Sequence, residues 1–421
     1  MISELTLRPA VVRVALVGAA IILCLTLAGE HCRAAEPWPR HTIDDSSRGA
    51  DGVRLADVNG DGHLDITTGW EEGGVIRVYL NPGPQQVAEK WPAVTVGAVK
   101  SPEDAVFADL DGDGTMDVVS SCEGRTRTMF FHWAPKSSDQ YLNSELWKTE
   151  AVPCTANQQM WMFALPMDVD GRNGIDLIVS SKGENASIGW LESPADPRDV
   201  SAWKYHRLRD AGWVMSLVGF DMDNDGDLDV VASDRKGAKR GVLWLENPGS
   251  QASSEGAGWK DHSIGGTSRE NMFLDVFSRR GNSPVILSAV KPAGLVRFHR
   301  LQNGGSPRPG TVAEGPGWGS DTIEIPGEKI GTGKSIRSAD INLDGHEDLV
   351  YSCEQANGAK HGVVWLDMTS DGMNIRPISG PEGVKYDLIQ LVDLDADGDL
   401  DVITCEERAN LGVFWYENPS R

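Results

Sequence analysis

The chain has 421 residues, with 62 acidic against 39 basic side chains and a formal net charge of -23. That balance excludes nucleic-acid backbones and anionic membrane surfaces as electrostatic partners. The length exceeds one ordinary domain, leaving two domains or a repeat architecture.

Arg8 and Arg13 precede an apolar run from Val14 to Ala28, and Cys32-Arg33-Ala34 places small residues at the -3 and -1 positions for cleavage after Ala34. Residues 1–34 therefore read as a secretory signal peptide, with an uncleaved anchor as the alternative. The mature chain, 35–421, is expected in an extracytoplasmic compartment, periplasmic or secreted. Neither Cys24 nor Cys32 follows the small residue that lipoprotein processing prefers, and no later stretch is long and apolar enough to span a bilayer. Cys122, Cys353 and Cys405 share nearly one place in three repeats, which favours small buried thiols; Cys122 with Cys154 is the pair to consider if a bridge forms.

A short strand pattern, Trp38 to Ile43, comes next, and then an acidic loop that recurs along the chain. Its odd positions 1 to 9 hold Asp57, Asn59, Asp61, His63 and Asp65 in the first copy, and Asp109, Asp111, Asp113, Thr115 and Asp117 in the second. Asp221, Asp223, Asp225, Asp227 and Asp229 form another. Asp340, Asn342, Asp344, His346 and Asp348 form a fourth, and Asp393, Asp395, Asp397, Asp399 and Asp401 the last. Oxygens at positions 1, 3, 5 and 9 can converge on one hard cation, and the glycine at position 6 turns the carbonyl of position 7 inward. About five calcium sites are expected. A further copy, Asp168 to Asp176, keeps the spacing but places Arg172 at position 5, where its guanidinium stands in for the ion.

Around each loop the same strands return. An alternating strand such as Val53 to Ala56 precedes it, and an apolar strand such as Val230 to Ala232 follows. A third strand ends in an aromatic residue and often Asn-Pro, as at Trp244 to Pro248, and a fourth often begins with Trp, as at Trp259 to Ile264. Phe273 to Arg300 keeps the strands without the loop. Seven units of four short strands, roughly fifty to sixty-five residues each, predict an all-β, seven-bladed propeller. The first strand, Trp38 to Ile43, is expected to close the ring beside Gly412 to Glu417.

This loop between two strands resembles the FG-GAP and VCBS repeats of β-propellers, including integrin α headpieces and secreted bacterial proteins. The resemblance runs from about Trp38 to Pro419 and implies the propeller fold and calcium binding. The Phe-Gly and Gly-Ala-Pro parts of the fuller signature are mostly replaced, so adhesion of the integrin kind is not implied. An EF-hand is excluded because Thr68, Ser120, Ala232, Tyr351 and Thr404 stand at position 12, where an acidic ligand belongs, and the flanks read as strands.

The far end of each second strand lies on the opposite face of the ring. There the chain places Glu71, Glu123, Lys182, Arg235, Glu354 and Glu407, with Trp70, Glu72, Asp234, Lys291 and Glu406 nearby, and the loops from fourth to first strands are expected to add Glu103, Trp161, Trp213, Asn271, Lys334 and Arg337. Mixed charges and Trp at the rim of a funnel suit a carbohydrate or another polar ligand, and a protein partner is the other candidate. The expected activity is recognition by a monomer; the alternative is a carbohydrate-active enzyme, a polysaccharide or sugar lyase. No catalytic base is identifiable. His41, His206 and His262 share one place in the outer strand, Trp-x-x-His, which reads as packing.

Overall fold

The computed structural model describes residues 36–249, 256–279, 283–301, 310–369 and 372–420; the segment read as a signal peptide lies outside them. Seven antiparallel sheets follow one another in a ring. The first blade is Ala50–Ala56, Asp65–Trp70, Val75–Tyr79 and Ala93–Gly97, paired in chain order from the axis outward. Blades two to six repeat this order, beginning at Pro102, Met160, Val214, Glu270 and Thr332. The first strands of neighbouring blades pack against one another, which places them around the axis. The fifth blade, lacking the acidic loop, still forms, and its outer strand Trp318–Ile323 carries an extra short strand, Val312–Ala313.

The seventh blade closes as the sequence predicts. Arg40–Asp44 pairs with Gly412–Tyr416 in the register Arg40 to Tyr416, His41 to Trp415 and Thr42 to Phe414. The N-terminal strand thus covers an edge that would otherwise offer unpaired N–H and C=O groups. The second strands are the core of each sheet: Asp65–Trp70, Asp117–Cys122, Asp229–Asp234 and Asp401–Glu406 are buried along their whole length. Aliphatic faces of adjacent blades fill the space between sheets, as where Ile178, Val230, Leu287 and Leu349 share one core.

The outer strands confirm the packing role of the repeated histidines. His41, His206 and His262 lie over Trp415, Trp190 and Trp244 with ring centroids 4.5, 4.9 and 4.2 Å apart. Each Nε2 also meets a carboxylate of the third strand: Glu417 at 2.7 Å, Glu192 at 2.8 Å and Glu246 at 2.7 Å. Among the described residues Cys122, Cys154, Cys353 and Cys405 are free thiols, and Cys122, Cys353 and Cys405 are buried. No helix among the described residues is long and apolar enough to cross a membrane.

Candidate functional site

The acidic loops fold by one hydrogen-bond scheme. The glycine at position 6 donates its N–H to Oδ2 of the Asp at position 1: Gly62 to Asp57 at 2.9 Å, Gly114 to Asp109 at 3.0 Å, Gly226 to Asp221 at 3.2 Å, Gly345 to Asp340 at 2.8 Å, Gly398 to Asp393 at 3.2 Å. Position 7 donates to position 5, as from His63 to Asp61 and Thr115 to Asp113. A Cβ at Gly62 would meet nothing within 4 Å, so glycine is needed there for its φ of 86°, not for space. Position 4 is also left-handed in every copy, and in three it is not glycine: Asn224 has φ 64°, Leu343 φ 58° and Ala396 φ 61°.

The Asp at position 9 is a clamp. One oxygen of Asp65 accepts the N–H of Val58 inside the loop at 2.9 Å, and the other accepts the N–H of Asn81 beyond the third strand at 2.8 Å. Asp117, Asp176, Asp229, Asp348 and Asp401 repeat both bonds. The Asn-Pro that ends several third strands belongs to the same device. Asn81, Asn247 and Asn418 donate from Nδ2 to the position 8 carbonyls of Leu64, Leu228 and Leu400. Burial raises these clamp carboxyls, to about 6 at Asp65 and about 7 at Asp117, Asp176, Asp229 and Asp401, against the N–H groups that favour the ionised form.

Positions 1, 3 and 5 keep their carboxylates close. In Asp109, Asp111 and Asp113, and again in Asp221, Asp223 and Asp225, one oxygen per residue lies within 4.8 Å of the others. Oδ1 of Asp221 is buried without a hydrogen-bond partner. Converging hard oxygens with a buried lone pair left over are the donor set a calcium-sized cation takes. In the third blade Arg172 lies 2.7 Å from Asp170, as its place at position 5 led us to expect.

The second site lies on the axis. A cavity of about 340 Å³ is lined by Asp51 and Glu71 of the first blade, Glu103 and Glu123 of the second, Lys182 of the third, Trp213, Met215 and Arg235 of the fourth, Lys291 of the fifth, Lys334, Glu354 and Gln355 of the sixth, and Lys385 leading into the seventh. Only a space on the ring axis can touch all seven blades. It opens where the second strands end, a strand length from the acidic loops at which they begin.

Ion pairs cross this cavity. Lys182 pairs with Glu103 at 3.0 Å and also with Glu123; Lys291 pairs with Glu354, Lys385 with Glu407, and Lys334 with Asp387 at 3.0 Å. Arg235 pairs with Glu270 at 2.6 Å and stacks 4.6 Å over Trp213. Asp51 and Glu71 face other carboxylates instead. Burial and then Glu103, Glu407 and Glu123 push Glu71 up to about 7. Burial and then Asp387 raise Asp51 well above the carboxylate range, whereas against burial Lys334, the hydrogen bond with Asp51 and Lys385 together bring Asp387 down to about 2. Burial, Arg235 and Lys334 bring the Lys291 ammonium down to about 7.

Of the residues expected on this face, Glu71, Glu123, Lys182, Arg235, Lys291 and Glu354 line the cavity, as do Glu103, Lys334 and Trp213. Glu407 stands beside it, its carboxylate within 4.8 Å of Asp51 and Glu71. Trp70 is not on the face. It is fully buried, and its Nε1 donates to Tyr79 Oη at 2.9 Å. Trp161 and Asn271 are likewise buried. Arg337 does not line the cavity; it donates to the carbonyl of Leu274 at 2.8 Å and stands 3.8 Å from Asp275. Asp51, Met215, Gln355, Lys385 and Asp387 were missed by sequence reasoning. Glu103, Met215 and Lys334 sit inside β-bulges of their first strands, between Pro102 and Asp104, Val214 and Ser216, and Gly333 and Ser335. A bulge re-aims a side chain in a way that strand alternation cannot show.

Residues 57–120 match the family model described as an FG-GAP-like repeat. No curated protein matches the chain. Among solved structures, BBS1N in complex with ARL6DN is 8% identical and aligns over 91% of this chain and 97% of its own, with a TM-score of 0.50. The BP39L lectin from Burkholderia pseudomallei is 14% identical over 88% of this chain and 99% of its own, with a TM-score of 0.51. At these identities the likeness establishes the fold alone. With a closed ring of seven four-stranded blades, the chain is a seven-bladed β-propeller, and the repeat at residues 57–120 is consistent with the FG-GAP type.

Proposed function

We propose that this protein is an extracytoplasmic, calcium-stabilised recognition module that binds a polar ligand, a carbohydrate foremost, in its axial cavity. The observation that carries the reading is a single cavity to which all seven blades contribute, lined by charged side chains of both signs. Carboxylates accept from hydroxyls and ammonium groups donate to them, so a polyhydroxylated ligand meets partners around its whole edge. A lectin on the same fold is in keeping with this.

The acidic loops serve the scaffold. Asp57, Asp109, Asp221, Asp340 and Asp393, with the residues at positions 3 and 5 and the position 7 carbonyls, would hold calcium, which neutralises carboxylates that otherwise repel one another. A ligand at a hundred times its dissociation constant stabilises a fold by about 2.7 kcal/mol per site. Loss of calcium is therefore expected to lower the melting temperature sharply; melting that ignores both chelator and added calcium would refute this role.

One observation favours catalysis as a second reading. Glu71 and Lys291 share the cavity, where burial and neighbouring carboxylates raise the one and burial and neighbouring cations lower the other toward the range of an acid–base pair, with Glu354, the ion-pair partner of Lys291, opposing the second shift. A carbohydrate-active lyase would use such a pair. The test of both readings is a glycan and polysaccharide screen, with and without calcium, on wild type and on E71Q/E123Q. Ligand binding that is lost in the variant supports recognition, and chain cleavage supports the lyase. Equal behaviour of the two proteins on every glycan would remove the cavity from consideration.

A further inference from the structure

The five intact loops are not electrostatically equivalent. Arg198 belongs to the connection between the third and fourth strands of blade three, yet it reaches the loop of blade two. Its Nε donates to Oδ2 of Asp111 at 2.5 Å, and its Nη2 lies 3.8 Å from Oδ2 of Asp113. These are positions 3 and 5, two of the three carboxylates that converge in that loop. The guanidinium also stacks 4.5 Å over the ring of Trp133, which is itself fixed by a 2.8 Å bond from Nε1 to Glu150. The connection that carries Arg198 is built as well: Asp196 accepts the N–H of Arg198 at 3.2 Å, and the carbonyl of Pro197 accepts Trp203 Nε1 at 2.9 Å. Among the described residues, no lysine or arginine pairs with Asp57 or Asp61 in blade one, or with Asp221, Asp223 or Asp225 in blade four.

We infer that Arg198 is a tethered cation that competes with calcium for the blade-two loop, making it a weaker ion site than the open loops of blades one and four. The inference rests on the calcium reading given above. An ion seated on Asp111 and Asp113 would put a divalent charge within a few ångströms of the guanidinium, so loading must expel Arg198 from the loop and from the carboxylates it screens. Blade three shows the limiting case of the same device, because Arg172 at position 5 pairs with Asp170 within its own loop. Arg172 is part of its loop, whereas Arg198 comes from a neighbouring blade and can leave. Calcium thus loads blade two only at concentrations above those that fill the open loops, and the connection around residues 196–200 loses its anchor when it does.

The test is calcium titration by calorimetry, with equilibrium dialysis for stoichiometry, on the full chain and on R198A. The calcium-free melting temperature checks that the variant is folded. Wild type is expected to take up one ion in a separate phase, weaker than the uptake by the open loops of blades one and four. In R198A that phase should tighten by about three- to tenfold, the scale of one exposed, stacked ion pair. The gain should vanish in R198A/D111A/D113A, which assigns it to blade two, and R198K, keeping the charge but not the planar fork, should fall between. An R198A isotherm that superimposes on wild type overturns the inference while leaving the calcium reading intact. No calcium uptake by wild type at all overturns both.

Discussion

The position 9 clamp is best tested in blade three, where Arg172 replaces the third carboxylate of the loop and pairs with Asp170. Asp176 is fully buried and accepts the N–H of Val169 at 3.0 Å and that of Ser193 at 2.7 Å. Replacing it with Ala leaves two backbone donors without acceptors in a dry site. Each such loss costs roughly 1–3 kcal/mol, or about 2–6 together. Part returns because burial had already pushed this carboxyl up to about 7, so removing it also removes an unfavourable buried charge. The expected net loss for Asp176→Ala is about 2–4 kcal/mol. Asp168→Ala is the control, since this exposed position 1 residue accepts one bond, from Gly171 at 2.7 Å, and should cost less than about 1 kcal/mol. The assay is denaturant unfolding by tryptophan fluorescence, run in calcium and in chelator, with the shift read from the midpoint at constant slope. The difference between the two variants should be the same in both buffers. If Asp176→Ala shifts the midpoint no further than Asp168→Ala, the clamp is not what ties the loop to the sheet.

Three further outcomes are expected. Folding raises Glu71 from 4.5 to about 7, so between those values the folded chain holds more protons, and the stability present below about 4.5 is lost as pH rises through 7. Glu71→Gln, facing the same Glu103, Glu123, Glu407 and Lys385 without a charge, should be more stable than wild type at pH 8 by about 1–2 kcal/mol and no more stable at pH 4, by thermal melts across that range. Leu343 is 41% exposed and held at φ 58°, so Leu343→Gly should relieve left-handed strain at little cost in burial and stabilise by about 0.5–1 kcal/mol, read from the denaturant midpoint. Arg172→Asp restores the third carboxylate of the blade-three loop; it should lower the calcium-free melting temperature and add one ion to the stoichiometry measured by dialysis.

The propeller was legible because its evidence is periodic. Loop, apolar strand, aromatic strand and outer strand recur, and the strand pattern read in Asp221 to Ile264 can be checked in the other units, including the one that lacks the loop. The incomplete ends were equally informative, since a spare outer strand at Trp38 and a missing one after Pro419 have one mutual solution, observed as Arg40–Asp44 beside Gly412–Tyr416. The axial site was legible only in part, for a reason internal to the fold. Counting six residues past the last loop Asp finds Glu71, Glu123, Lys182, Arg235, Glu354 and Glu407, because the second strands are regular from clamp to tip. The same counting fails on the first strands, where a bulge between Val214 and Ser216 turns Met215 to the axis, a residue the pattern did not single out. It fails differently at Trp70. Tryptophan at a strand end reads as a ligand platform, but this one ends a strand whose every residue is buried and whose tip is covered by the next blade, with Gly69 meeting Pro102. Periodicity therefore locates side chains that follow the pleat. Those that a bulge re-aims, or a neighbouring blade covers, depend on how sheets meet around the ring, and no single repeat carries that information.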